Sequence, residues 1–264
     1  MNNSKSDFIL TSNEWQSDFL LALHSNNILT SSVENNFLSF NQNNFIIHLI
    51  NIKNDFLPED LIDIQNQHHK HNIKLIHLWE DVWLTKPEQV IYRIKSLMGL
   101  NVRIHGRKTE IKKLDKPQAD RFLNDFHLQG AVSSRYKFGL YYTNELFAVA
   151  TFSALRKMNH TDNYKSIELI RFATRGGFSI SGGLSKLLKY VKIILESNDI
   201  MTYADRDWSA GDSYLKIGFK QVGILEPQYF NLDENRNRQL QKNELVANGL
   251  NAFNTGSIKF ILKF

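Results

Sequence analysis

One stretch restricts the fold of this 264-residue chain more than any other: Glu168-Leu-Ile-Arg-Phe-Ala-Thr-Arg175-Gly-Gly-Phe-Ser-Ile-Ser181-Gly-Gly-Leu-Ser185-Lys186. An apolar strand-length run enters a loop holding Gly176, Gly177, Gly182 and Gly183. It leaves as a helix, Leu184 to Leu195, with Leu187, Leu188, Val191 and Ile194 on one side. Strand, turn and helix in that order are the unit of an α/β sheet. Glycine lets a ligand come close to the backbone. The first turn of a helix offers unpaired N–H groups and a positive dipole end to a phosphate, and Ser181, Ser185 and Lys186 can add hydroxyl and ammonium contacts. The same glycines equally suit a loop that only reverses the chain. The Gly-Lys-Ser/Thr ending of a Walker loop and the dinucleotide fingerprint are both missing.

A second unit follows, Tyr203-Ala-Asp205-Arg206-Asp207-Trp208 to Tyr214-Leu-Lys-Ile-Gly218-Phe219. A short helix, Ala210 to Ile217, places Tyr214 one turn before the Gly218-Phe219 stop. Such a tyrosine either packs in the core with its hydroxyl satisfied or projects into a crevice. The two strands carrying these units are expected to be neighbours, with their C-terminal ends opening into one crevice.

The net charge of +5 is uneven. Residues 1–98 hold seven Lys/Arg against eleven Asp/Glu, and the remainder holds 25 against 16. The second part is therefore the one suited to a polyanion, unless its charge is simply solvated surface. The pattern changes at the same place. Before Gly99 the chain reads as a small α/β layer: a helix from Ser12 to Ser25 capped by Ser12 or Asn13, strands Phe37 to Phe40 and Phe45 to Ile52 around a turn at Asn41 to Asn44, a helix from Pro58, a strand Lys74 to Trp79 and a helix Pro87 to Met98. After Gly99 come an extended stretch Val102 to Leu114, a helix near Pro117, a hairpin Tyr136 to Ser153, the units above, and an irregular tail with a last strand Ser257 to Leu262. Two domains are expected, 1–98 and 99–264.

The chain has no cysteine, which excludes disulfides, thiolate nucleophiles and iron–sulfur clusters and fits a reducing, cytoplasmic setting. Met1 to Asp7 shows no signal peptide and no run approaches a membrane span. His68-His69-Lys-His71 with His77 reads as a solvated polar turn, so no metal is expected. Arg103, His105 and Arg107 alternate along one strand, which either tracks a phosphate backbone or protects an edge.

The element order over roughly residues 102–224 resembles the GNAT fold of acyl-CoA N-acyltransferases. Tyr214 to Phe219 matches that family's tyrosine motif. Its glycine pattern falls on Ser179, Gly182 and Leu184 before Leu187-Leu188, and keeps only Gly182. The resemblance implies acyl-CoA as cofactor, with its phosphates near Gly176, Gly177, Ser181, Gly182, Gly183, Ser185 and Lys186. It also implies a backbone N–H on the Glu168 to Thr174 strand for the oxyanion, Glu168 or His127 as base, and Tyr214 as acid, with Asp205 beside them. His127-Leu-Gln-Gly130, the hairpin, Glu168-Leu-Ile-Arg171 and the Tyr203 to Tyr214 block resemble the Mom-like phage branch of that fold. The segment Ile73 to Trp83 is similar to the end of a very-short-patch-repair-like endonuclease domain.

Asn44 to Asn51 has no carboxylate, and Glu80 and Asp81 would point to opposite faces of a strand. Residues 1–98 are therefore read as a degenerate nuclease-like layer without an active site. Arg171, in an apolar strand, needs an anionic partner. With Arg135, Arg175, Lys186 and Arg206 it can line a cationic crevice, and Trp208, Tyr141 and Tyr142 can stack on bases. Three functions are carried forward: a GNAT-like transferase acting on nucleic acid or an associated substrate, a non-catalytic DNA-binding protein, and a small-amine acyltransferase. The oligomeric state is not legible.

Overall fold

The computed structural model describes residues 14–40, 43–158, 163–241 and 251–264. The caps expected at Ser12 or Asn13 lie outside the described residues, as do Asn41 and Gln42 of the first turn. The chain opens with α1 (Glu14–Ser25), β1 (Ser32–Glu34), β2 (Phe37–Phe40), β3 (Asn43–Ile50), α2 (Pro58–Lys70), β4 (Lys74–Trp79), α3 (Glu80–Thr85) and α4 (Pro87–Leu97). The sheet order is β1-β2-β3-β4, antiparallel except for the parallel β3–β4 pair. Parallel neighbours need a crossover, and α2 supplies it. Pro58 opens α2, and Asp60 accepts the Leu57 N–H at 2.8 Å. Trp15, Phe19 and Leu23 of α1 pack with Leu38, Ile47, Leu49, Trp83, Val90 and Ile94.

The remainder runs β5 (Val102–His105), a tight turn Gly106–Lys108, β6 (Glu110–Lys113), α5 (Lys116–Phe126), β7 (Tyr136–Tyr142), β8 (Glu145–Phe152), β9 (Arg156–Lys157), β10 (Lys165–Thr174), β11 (Phe178–Ser181), α6 (Gly183–Leu195), β12 (Asp199–Asp205), α7 (Asp212–Lys216), β13 (Lys220–Leu225), β14 (Tyr229–Leu232), β15 (Arg238–Leu240), β16 (Asn251–Phe253) and β17 (Ser257–Lys263). The main sheet has the order β13-β17-β12-β10-β8-β7-β6, with β9 off β10. Its pairs are antiparallel except β10 with β12. α5 covers one face through Ala119, Phe122 and Leu123 against Val149 and Ala173. α6 covers the other through Leu187, Leu188 and Val191 against Leu140, Ile167 and Ile200. The expected α/β class holds, with helices on both faces of a mixed sheet.

Several expectations need correction. Glu80 and Asp81 stand on helix α3, with Asp81 buried and Glu80 half-buried, and not on opposite faces of a strand. The extended stretch from Val102 is broken at Gly106–Lys108, which takes Arg107 off the strand line. The Gly-rich turn contains β11, paired in parallel with β5. The tail beyond β13 is not irregular: β14, β15 and β16 form a sheet of their own.

The boundary at 98/99 is crossed by interlocking contacts. Ala252 and Phe253 pack with Ile50, Leu61 and Trp79. His77 N–H donates to Asp207 O at 3.0 Å, and Gln65 Nε2 donates to Arg206 O at 3.0 Å.

Candidate active site at the splay of β10 and β12

The parallel ladder between β10 and β12 runs from Ser166↔Asp199 to Leu169↔Thr202 and stops there, although β10 continues to Thr174 and β12 to Asp205. On its other edge β10 carries a register shift between Leu169 and Arg171. A bulge bends the strand that holds it, and this one falls where the pairing with β12 ends. At the last pair Thr202 Oγ1 donates to Leu169 O at 2.9 Å. The Tyr214 hydroxyl is near enough to the Thr202 side chain to feel it, and its ring lies 5.3 Å from Phe219 and 5.6 Å from Phe260. Burial raises the Tyr214 pKa, so the phenol stays protonated at neutral pH. α7 holds it there because Gly211 lies tight against Phe260, where a Cβ would stand 2.1 Å from the ring.

The turn His127-Leu128-Gln129-Gly130, which follows α5, is fastened at the splay from three sides. Lys86 Nζ donates to Leu128 O at 2.5 Å, Arg171 Nε to Gly130 O at 3.3 Å, and Gln129 Nε2 to Asp205 Oδ2 at 3.0 Å. His127 Nδ1 accepts the Gln129 N–H at 3.1 Å, so its own hydrogen sits on Nε2 when neutral. Burial, then the charges of Arg171, Arg93 and Lys86, lower His127 to about 3. The imidazole is therefore neutral at physiological pH and a poor base.

Asp205 behaves oppositely. Burial and the neighbouring Asp207 raise it to about 7, against the pull of the Asp207 N–H and Gln129 bonds. Asp207 itself is satisfied by the N–H and hydroxyl of Thr255, at 2.9 and 2.7 Å.

Other expected residues lie elsewhere or are already engaged. Glu168 faces Arg156 at 3.7 Å. Arg175 pairs with Glu145 at 2.5 Å and covers the Phe147 ring. Arg206 donates to Thr255 O at 2.9 Å, and Arg135 is exposed. Trp208 offers no stacking face, because it is buried in the core of the N-terminal layer. Tyr141 lies under Lys112, and Tyr142 packs edge-on against Phe147.

Gly176 lies under Tyr92, whose ring carbons would be 2.6 Å from a Cβ, so its glycine serves packing against α4. Gly183 is wedged against Ile180 and Leu140. Gly177 and Gly182 have positive φ, and Gly182 caps α6. Lys186 Nζ is turned inward onto Gly106 O at 3.1 Å and onto Thr109 O, so its ammonium is not offered to a phosphate. Ser181 and Gly182 are exposed and Ser185 half-buried at the start of α6.

Among the described residues no group of His, Asp and Glu side chains could hold a metal. His48 and His77, both buried, bond to each other instead.

The sequence reading missed Lys86, Arg93 and Gln129. A signal existed for the first two: they stand seven residues apart at the start and middle of α4, the spacing of one helix face.

No protein-family model and no curated protein match the chain. Solved structures that resemble it include acetyltransferases. A GNAT family acetyltransferase from Elizabethkingia anophelis, with acetyl-CoA bound, is 16% identical over 60% of this chain and 99% of its own, at a TM-score of 0.35. A Bacillus subtilis acetyltransferase in complex with CoA is 14% identical over 60% and 99%, at 0.38. Arabidopsis thaliana Naa50, in complex with a CoA-bearing bisubstrate analogue, is 13% identical over 60% and 99%, at 0.40.

Proposed function

We propose that the chain is a GNAT-like group transferase that works at the splay, with acyl-CoA as donor. The observation that carries this reading is the opening of one parallel pair, β10 with β12, inside an otherwise antiparallel sheet, with Tyr214 and Asp205 at the opening. The donor's fit rests on the start of α6. Ser181 and Gly182 are exposed, and nothing lies within 4 Å of where a Cβ would stand on Gly182, whereas the Gly106 turn packs against the Ser181 carbonyl and the Gly183 nitrogen, so the open side of this backbone is at Gly182. Gly182, Ser181 and Ser185 would hold the donor's phosphate, without Lys186 and with Gly183 buried against Ile180 and Leu140. The bound donor supplies a thioester. Asp205, ionised above pH about 7, takes a proton from the attacking amine. Tyr214, protonated through burial, gives one to the departing sulfur. Glu168, paired with Arg156, and His127, with its low pKa, are the weaker bases.

We extend the reading to a nucleic-acid acceptor because Arg103, His105, Arg107 and Lys108 are all exposed around the turn beside the start of α6. The N-terminal α1-β1-β2-β3-α2-β4 layer, with His48 on β3 where no carboxylate stands, is in this reading the degenerate nuclease-like partner.

The test is thiol release from acetyl-CoA with DNA or small amines as acceptor, beside a salt titration of DNA binding. Release stimulated by DNA, with affinity falling steeply with salt, supports the full reading. Steep binding without release leaves a DNA-binding protein. Release with small amines alone leaves an amine acyltransferase. Neither release nor binding overturns both.

A further inference from the structure

The N-terminal layer does more than buttress the sheet. Lys86 at the start of α4 and Arg93 within it reach across to the splay. Lys86 and Arg171 of β10 both bind carbonyls of the His127–Gly130 turn, at Leu128 and Gly130, and the charges of Lys86, Arg93 and Arg171 all act on His127. Lys86 stands 3.7 Å from where a Cβ would lie on Gly130, the residue whose carbonyl accepts Arg171. Arg93 donates to Trp208 O at 3.4 Å, three residues past the end of β12 at Asp205. Among the described residues no carboxylate lies within ion-pair distance of Lys86, Arg93 or Arg171.

Their hydrogen bonds go to backbone carbonyls, which carry no net charge: Leu128 for Lys86, Trp208 for Arg93, Ile170 and Gly130 for Arg171. Arg93 uses one of the five donors of its fork, and that bond is long. A folded chain brings like charges into one half-buried place at a cost that an anion removes. Glu168 and then Asp205 attract Arg171, and Asp205 attracts Arg93, in each case without an ion-pair contact, and Glu168 is shared with Arg156 at 3.7 Å. Asp81 is already consumed by Arg238.

We infer that Lys86, Arg93 and Arg171 form a phosphate-recognition site at the splay, completed by the N-terminal layer, and that the acceptor is a phosphate-bearing molecule such as a nucleotide. A dianionic phosphate balances three cations better than a single carboxylate does, and arginine forks match its oxygens two at a time. The site lies on the α5 side of the sheet, beside the His127–Gly130 turn, whereas the start of α6 that would hold the donor covers the other face. The inference rests on the transferase reading only for calling the ligand an acceptor.

The experiment uses the full chain with inorganic phosphate, dAMP, deoxyadenosine and succinate as probes, in calorimetric titration and thermal melting at low salt. Phosphate and dAMP are expected to bind and raise the melting temperature, and deoxyadenosine is not. Arg93→Gln is expected to weaken both by about tenfold or more, with Arg93→Lys keeping part of the affinity. Arg171→Gln provides a second route should Arg93→Gln fail to fold.

No binding of phosphate or dAMP, or equal affinity in a folded Arg93→Gln or Arg171→Gln protein, overturns the site. Succinate binding as tightly as phosphate overturns its assignment to phosphate. Arginine-dependent phosphate binding without thiol release from acetyl-CoA would leave the site standing and remove the transferase. Acyl transfer to an uncharged amine with no phosphate binding would do the reverse.

Discussion

Arg238 grips Asp81 through Nε to Oδ2 at 2.6 Å and Nη2 to Oδ1 at 3.0 Å, across 157 residues of chain. Asp81 is 1% exposed, and the guanidinium lies 5.6 Å from the Trp79 ring and 5.2 Å from Phe230. This fork ties the tail sheet to the N-terminal layer. Removing one partner strands the other charge in a dry place, and such losses cost about 3–5 kcal/mol. Arg238→Met and Asp81→Leu should each destabilise by that order, while the double variant recovers most of the loss. Urea unfolding measures all three, and strictly additive effects would show that the pair is not coupled.

His48 and His77 meet Nδ1 to Nδ1 at 3.2 Å, and His77 Nε2 lies 3.1 Å from Leu61 O. The carbonyl can only accept, so His77 carries its hydrogen on Nε2 and His48 donates from Nδ1. A second proton on His77 Nδ1 would face the Nδ1–H of His48. Burial, with its partner's charge, lowers His48 to about 3, and burial lowers His77 to about 4. Unfolded histidine takes up a proton below about pH 6.5. The unfolded state thus binds more protons, and stability should fall as pH drops from about 7 toward 4. The fall should flatten by about one proton in a His48→Gln variant between pH 6 and 5. An unchanged slope would exclude the pair as its cause.

Asp205 must be ionised to accept a proton. The rate at limiting substrate should therefore rise with pH and level off above about 7, following its raised pKa. Asp205→Asn should lower kcat by about 10²-fold or more and abolish that limb. A pH profile unaltered by the substitution would move the base elsewhere.

Tyr214→Phe keeps the ring against Phe219 and Phe260 and removes only the hydroxyl near Thr202. Turnover should fall by about 10²-fold with little change in the KM for acyl-CoA. Full turnover in the variant would take Tyr214 out of the mechanism.

Much of this architecture can be read along the chain. The apolar faces of α4 and α6, the hairpin of β7 and β8, and the strand–glycine–helix–strand order depend on spacing and turn chemistry within a dozen residues, which neighbouring side chains dictate locally. The same letters say nothing of register or facing, because those are settled by partners distant in sequence. A buried Trp208 and a stacking Trp208 look alike until the core of the N-terminal layer takes the ring in. Lys186 belongs to a phosphate or to Gly106 depending on where the turn after β5 folds back. The parting of β10 from β12 after Leu169 and Thr202 coincides with a register shift against β8, which only the paired strands reveal. The gathering of Lys86, Arg93 and Arg171 exists only because two sheets pack together, so their electrostatic meaning is a property of the assembled fold.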